Sequence, residues 1–299
     1  MTNLLSARAA VAIVSPSISL SGADRIDIDA GINYLRNLGL KVKVFPQALE
    51  GTRWRPGSDE AKVADLHAAF ADPEIKMIFA PHGGASAQRL LNLLDYNLIR
   101  ANPKPIVGFS DITAIQLAIY AQTGQPFVSG FLPQYDFRGG NIDSLVDSTL
   151  RRVLCGEKIT AAGGATLHGG IAEGVLLGEC LSMLSDLSGT PYYPDLKDKI
   201  LLLEDECEKP YKIDLMLTQL RQQPDFKNIK GIIFGAFTEC EAAVNTHGSV
   251  DDVIADFAEK VTVPMVKNFP FGHIKSRPVL PMGVAYRFNA DTGSLQQIG

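Results

Sequence analysis

Three stretches of the chain hold residue types suited to acyl-transfer chemistry, and each has an ordinary structural reading beside the chemical one. In Ile106-Val107-Gly108-Phe109-Ser110-Asp111-Ile112-Thr113 an apolar strand runs into a Gly-x-Ser turn, and a helix begins at once. A serine at such a turn is lifted clear of the carboxyl edge of a sheet, where open α/β sheets bind ligands. The helix start behind it offers backbone N–H groups to a developing oxyanion. The segment is not the G-x-S-x-G elbow, because Asp111 and Ile112 follow instead of a closing glycine. Ser110 or Asp111 could equally be the plain N-cap of the helix.

The second stretch, Phe79-Ala80-Pro81-His82-Gly83-Gly84-Ala85-Ser86, is a strand end entering a Gly-Gly turn. Glycines let a backbone approach a ligand closely, and successive N–H groups can form an anion nest. The G-x-x-x-x-G-K phosphate fingerprint is absent, and an ordinary left-handed turn is the competing reading. The third is a pair of pieces far apart in the chain. Leu201-Leu202-Leu203-Glu204-Asp205 is an apolar strand ending in two carboxylates, and Phe269-Pro270-Phe271-Gly272-His273 places a histidine in a Pro-bracketed loop. Carboxylates at a strand end are commonly solvated, and a lone loop histidine commonly does nothing. Together, however, they supply an acid and a base to a serine. Serine is a poor nucleophile without an adjacent imidazole, and the imidazole needs a carboxylate to fix its tautomer. Spacing alone does not show that the three converge.

Positioning such groups falls to the flanking elements. Ala9–Val14 reads as a strand ended by Ser15-Pro16-Ser17, Asp24–Leu38 as a helix ended by Gly39, and Lys41–Phe45 as a short strand. Asp59–Phe70 reads as a helix, Lys76–Ala80 as a strand, Ala87–Leu94 as a helix, Pro105–Phe109 as a strand and Ile112–Ala121 as a helix. Near-continuous apolar strands alternating with helices predict a parallel sheet covered on both faces. Glycine pairs at Gly139-Gly140, Gly163-Gly164 and Gly169-Gly170 surround one helical stretch, Ile142–Leu154, and mark a domain boundary. Beyond it the pattern is mixed α+β, with strands near Ile171–Leu177, Ile200–Glu204, Gly231–Phe237 and Val284–Asn289, and helices near Lys212–Gln222 and Val250–Glu259. The two domains expected are 1–150 and 165–299.

Composition narrows the class. The 299 residues are 46% hydrophobic and 20% charged, as in an ordinary globular protein, and the length suits two domains. The net charge of −5, without a basic block, argues against a nucleic-acid or anionic-membrane partner. Cys155, Cys180, Cys207 and Cys240 form no C-x-x-C pair and read as buried, reduced thiols. The five histidines include no H-E-x-x-H, so no metal and no cofactor is expected. No apolar run reaches the ~18 residues of a membrane span. Arg8 interrupts the mildly apolar start, so a first strand is expected there rather than a signal peptide, in a cytoplasmic protein.

These residues together resemble a known family. Gly108-Phe109-Ser110-Asp111-Ile112-Thr113, Leu203-Glu204-Asp205 and Phe271-Gly272-His273 stand in the order found in the LD-carboxypeptidase family of serine peptidases, which includes muropeptide LD-carboxypeptidases and microcin C immunity peptidases. Glu208-Lys209-Pro210-Tyr211-Lys212-Ile213-Asp214, Met216–Leu220, Val11–Ser17, Ser188-Gly189-Thr190-Pro191 and Leu280-Pro281-Met282-Gly283 also match pieces of the family, so the likeness spans nearly the whole chain. The resemblance implies a Ser-His-Glu triad with Ser110 as nucleophile, His273 as base and then acid, and Glu204 as its orienter. It implies an oxyanion hole from the N–H of Asp111 and the Gly83-Gly84 turn. The fold implied is α/β: an N-terminal flavodoxin-like parallel-sheet domain carrying Ser110, and a smaller C-terminal β-rich α+β domain carrying Glu204 and His273, with the site at their interface. It also implies metal-free amide hydrolysis by a homodimer acting on a small peptide or muropeptide.

Two departures fall where the family shapes its pocket, at the candidate substrate-binding residues His82 and Glu179. Many members read Arg-Gly-Gly-Tyr-Gly where this chain has His82-Gly83-Gly84-Ala85-Ser86, and Gly-Gly-Asn-Leu where it has Gly178-Glu179-Cys180-Leu181. The leading expectation is release of terminal D-Ala from a muropeptide tetrapeptide. A microcin-C-type hydrolase of peptidyl or aminoacyl nucleotides is the second. That branch resembles longer chains with an aromatic-bearing insertion, whereas the single tryptophan here, Trp54 between Arg53 and Arg55-Pro56, reads as a surface loop. A non-catalytic peptide-binding relative is the third.

Overall fold

The apolar runs of the first half form one sheet. The computed structural model describes residues 3–17, 22–49, 58–241 and 248–299. Trp54 and its flanking Arg53, Arg55 and Pro56 lie outside them. The chain divides into two units, Met1–Glu157 with Val279–Pro281, and Lys158–Pro278 with Met282–Gly299.

In the first unit the elements are β1 (Ala10–Ile13), α1 (Gly22–Asn37), β2 (Lys41–Val44), α2 (Asp59–Ala71), β3 (Ile75–Phe79), α3 (Tyr96–Ala101), β4 (Ile106–Gly108), α4 (Ile112–Thr123), β5 (Phe127–Ser129), α5 (Pro133–Phe137) and α6 (Ser144–Leu154). The strands lie in the order β2-β1-β3-β4-β5, each pair parallel, and Leu280–Met282 closes the β5 edge. This is the flavodoxin-like order, and its direction of winding reverses between β1 and β3. Ser15-Pro16-Ser17 follows β1 and Ala80–Ser86 follows β3, so both loops leave the carboxyl edge at that reversal; Phe109-Ser110 follows β4 beside them. The strands are continuous apolar runs because helices cover both faces: Val11, Ala12, Ile13, Phe79 and Val107 are fully buried. α4 is buried along Ile112–Ile119 and stops at Gly124, whose left-handed φ of 72° ends the helix.

The helix expected at Ala87–Leu94 is a 3-10 helix, Ala87–Leu93. Its start is held from outside, since the N–H groups of Ser86 and Ala87 both donate to the Asp111 carboxylate, and the first turn closes with Arg89 N–H on the Ser86 carbonyl at 3.1 Å.

The second unit holds β6 (Thr160–Ala162), β7 (Ala165–His168), β8 (Ile171–Cys180), α7 (Leu181–Asp186), β9 (Lys199–Glu206), α8 (Pro210–Arg221), β10 (Gly231–Thr238), α9 (Val250–Ala258), β11 (Met265–Lys267), β13 (Ala285–Asn289) and β14 (Ser294–Gln297), with β12 the strand Leu280–Met282 already met. The order is β6-β14-β13-β8-β9-β10-β11-β7. β8, β9, β10 and β11 are parallel to one another, and antiparallel strands flank them. Ile200–Leu203 is fully buried, which explains its unbroken apolar run.

The expectation that Glu204 and Asp205 cap the end of this strand is corrected. β9 continues through Glu206, and Glu204 and Asp205 are 0% and 2% exposed. The thiols also differ from one uniform class. All four cysteines are free, with Cys180 and Cys240 buried and Cys155 half-buried. Cys207, just past the end of β9 at a φ of 62°, is exposed. No helix among the described residues is long and apolar enough to cross a membrane.

Candidate active site

In the first unit the strand-turn-helix at β4 and α4 sets Ser110 in the left-handed region, at φ 64°. A side chain there is strained, and a sharp strand-to-helix turn is what raises a serine off a sheet edge. Ser110 is half-buried while Gly108 and Phe109 before it are buried. The plain-cap reading does not hold for Asp111. It makes no side-chain cap bond to its own helix, and its buried carboxylate turns away to accept from Ser86 N–H (2.9 Å), Ala87 N–H (3.0 Å) and the Ser17 hydroxyl. α4 opens with Thr113 N–H on the Ser110 carbonyl (2.9 Å), so the N–H groups of the turn itself have no acceptor within the helix.

Gly83 packs directly on the serine. A Cβ at this position would stand 3.0 Å from Ser110 Cβ and 3.1 Å from its Oγ, so only glycine fits without displacing that side chain. His82 is buried, and its ring serves the turn. Nδ1–H donates to the Gly83 carbonyl at 2.6 Å, leaving Nε2 to accept from the Ser15 hydroxyl at 2.9 Å. The first unit thus gathers Ser110, Asp111, His82, Gly83 and Gly84 at the carboxyl edge.

The second unit builds an imidazole–carboxylate pair. One oxygen of Glu204, Oε2, accepts both His273 Nδ1–H at 2.8 Å and the His273 backbone N–H at 3.1 Å. Local structure explains why a strand residue meets a distant loop. The register of β9 and β10 shifts between Phe234 and Phe237, so Gly235 and Ala236 stand where one residue would oppose Glu204. The histidine loop is stitched along that bulge by Phe269 N–H on the Phe234 carbonyl (2.9 Å), Ala236 N–H on the Phe271 carbonyl (2.8 Å) and the Thr238 hydroxyl on the His273 carbonyl (3.2 Å). Gly272, at φ 122°, passes so close that a Cβ would stand 2.7 Å from Glu204 Oε2.

Burial opposes a charged His273, but the hydrogen bond and charge of Glu204, with Glu206 and Asp205 adding to them, outweigh it and raise its pKa above the ordinary 6.5. Its Nε2 lies 3.8 Å from Glu206 Oε2. Burial, then the charge of Glu204, push Asp205 up to about 6. Asp205 holds the start of α7 by accepting Ser182 N–H at 2.8 Å. Glu179, fully buried at a φ of 118°, pairs in register with Leu203, and Cys180 with Glu204. This histidine can donate through Nδ1 and accept a proton at Nε2, which is the requirement for a general base.

Residues 11–130 match the model of the LD-carboxypeptidase N-terminal domain, and residues 173–288 that of the C-terminal domain. The chain belongs to the LD-carboxypeptidase family. SCO6489 of Streptomyces coelicolor, which carries a carboxypeptidase name, is 33% identical, covering 96% of this chain and 92% of its own. Murein tetrapeptide carboxypeptidase of Pseudomonas aeruginosa is 29% identical, covering 91% of each chain. The solved structure of an MccF-like protein from Bacillus anthracis is 30% identical, with a TM-score of 0.86 over 97% of this chain and 96% of that one.

In this LD-carboxypeptidase-family peptidase, further residues touch the candidate site without a motif to mark them. Ser15 and Ser17, which sequence reading gives no side-chain role, bond His82 and Asp111. Lys62, buried on α2, donates to the Ser17 carbonyl. The usable signal was the pair of hydroxyls in Ser15-Pro16-Ser17, directly after a buried parallel strand.

Proposed function

We propose that the protein is a serine carboxypeptidase that cleaves the L–D amide bond releasing terminal D-Ala from a muropeptide tetrapeptide. The observation that carries this reading is the buried Glu204 carboxylate holding His273 Nδ1–H, which leaves Nε2 as the proton acceptor. In the proposed cycle Ser110 Oγ attacks the scissile carbonyl as its proton passes to His273 Nε2. The C–N bond breaks while that proton goes to the departing D-Ala amine. Water, giving a proton to the same nitrogen, then attacks the acyl-serine ester, and that proton passes to Ser110 Oγ as the acyl C–O bond breaks. Glu204 keeps the imidazole in one tautomer and stabilises its charged form. The N–H of Asp111 and the Gly83-Gly84 turn receive the oxyanion, each donor worth roughly 10²–10³ in rate. His82 and Glu179 shape the pocket for the peptide, His82 by fixing the turn it precedes. In this reading the enzyme acts in the cytoplasm as a homodimer, without metal.

The test is release of D-Ala from tetrapeptide, with pentapeptide and tripeptide as controls and Ser110→Ala in parallel. Release from tetrapeptide alone, lost in the variant, is expected; release that survives Ser110→Ala overturns the assignment. The 30% identity to an MccF-like protein favours one second reading, hydrolysis of a peptidyl or aminoacyl nucleotide by the same residues. Turnover of such a compound in preference to tetrapeptide would reverse the order.

A further inference from the structure

The residue after the nucleophile does more than lend its backbone. Asp111 is 4% exposed, and its carboxylate sits at the point where the loops after β1, β3 and β4 meet. A single oxygen, Oδ2, takes the hydroxyl of Ser17 from the first loop and the N–H groups of Ser86 and Ala87 from the second. Ser17 is itself anchored, because buried Lys62 donates to its carbonyl. The turn so held is the one whose Gly83 lies against Ser110, and its other end is fixed by His82 on Ser15. Gly84 and Ala85 between these anchors are exposed. A buried carboxylate spent on two backbone N–H groups costs desolvation, which the charge-assisted bonds offset only while the turn keeps its shape.

We propose that Asp111 is a positioning residue for the oxyanion hole: its carboxylate, backed by Ser17 and Lys62, fixes the Gly83–Ala87 turn against Ser110, so that the turn's donors are in place before the acyl group arrives. Preorganisation of this kind lowers the barrier because the donors need no reorganisation as charge develops. The idea rests on Ser110 being the nucleophile, and its test separates the two.

The experiment pairs local hydrogen exchange with labelling of Ser110 by a fluorophosphonate, whose phosphoryl oxygen must enter the same hole. It uses Asp111→Ala, Asp111→Asn and Ser17→Ala, with thermal melting of each as the check on folding. In Asp111→Ala the amides of Ser86 and Ala87 should exchange at least tenfold faster with the rest of the first sheet unchanged. Labelling of Ser110 should slow about 100-fold. Asp111→Asn, which keeps an acceptor oxygen, should recover about tenfold of that loss, and Ser17→Ala should fall between it and the native protein. On substrate, kcat should drop with KM within about threefold. If Asp111→Ala does not fold, the Asn and Ser17 variants carry the same comparison. Unchanged exchange at Ser86 and Ala87, or unchanged labelling despite faster exchange, overturns the proposal. Loss of protection spread over the whole sheet overturns it too, by making Asp111 a general structural residue. A native protein whose Ser110 takes no label refutes the serine-peptidase reading instead, while the exchange arm still decides whether Asp111 holds the turn.

Discussion

At the scale of single residues, the Glu204–His273 pair determines the expected pH behaviour. Because Glu204 raises the His273 pKa, the imidazole stays protonated to a higher pH than a free histidine. A base must be neutral to act, so kcat/KM should climb through a midpoint above 6.5. Glu204→Gln should move that midpoint downward and lower kcat roughly 10³–10⁴-fold, as a misheld tautomer does in other triads. A pH–rate profile of both proteins measures this, and an unmoved midpoint would remove Glu204 from the role. Stability carries the same sign. A raised pKa means that the folded state holds the proton more tightly, so the contribution is complete below the unfolded value near 6.5. It is lost as pH rises through the folded value. Urea denaturation at pH 6 and pH 8.5 should therefore show the margin of native protein over Glu204→Gln narrowing toward the alkaline end.

At the scale of elements, the site depends on the bulge opposite Glu204 and on the loop that crosses it. Gly272→Ala should cost about 2 kcal/mol or more, because the new side chain meets an unfavourable φ and the Glu204 carboxylate together. It should also lower kcat by pushing that carboxylate off the ring; urea midpoints and steady-state rates check the two effects separately, and a variant of native stability would discount the close approach. The bulge was not legible in the sequence. Leu201–Leu203 announced a buried strand, but nothing in the pattern said that β9 would go on burying Glu204 and Asp205, since a period-two signal ends where the apolar run ends. The alternation of β1 to α4 was legible because parallel strands sealed on both faces leave long apolar runs. Phe127–Ser129 and Ser294–Gln297 were missed, the first being only three residues long and the second only four and weakly alternating. Ser110 and His273 stand out by motif as candidates, whereas the hydrogen bonds of the Asp111 carboxylate do not, because a cap and a carboxylate turned away from its own helix look alike in one dimension.

At the scale of the whole molecule, the first unit is discontinuous. It takes Val279–Pro281 from near the far end of the chain, and Val279 N–H bonds the Thr149 hydroxyl of α6 at 2.8 Å. A fragment ending at Glu157 should lack its edge strand and leave the β5 edge open for association with other chains. It should scatter light at micromolar concentration and unfold at lower urea than the same fragment with Val279–Met282 joined through a flexible linker. Equal behaviour of the two would show that the returning strand adds nothing. The topology also bears on how the protein is made. A ribosome releases residues from the N-terminus onward, so the sheet that carries Ser110 cannot be finished when its own first 157 residues have emerged. It waits until Leu280 is out, and at roughly 5–20 residues per second that delay is on the order of ten seconds. By then Glu204 and His273 have already been synthesised, so during translation no completed sheet bearing Ser110 precedes either of them.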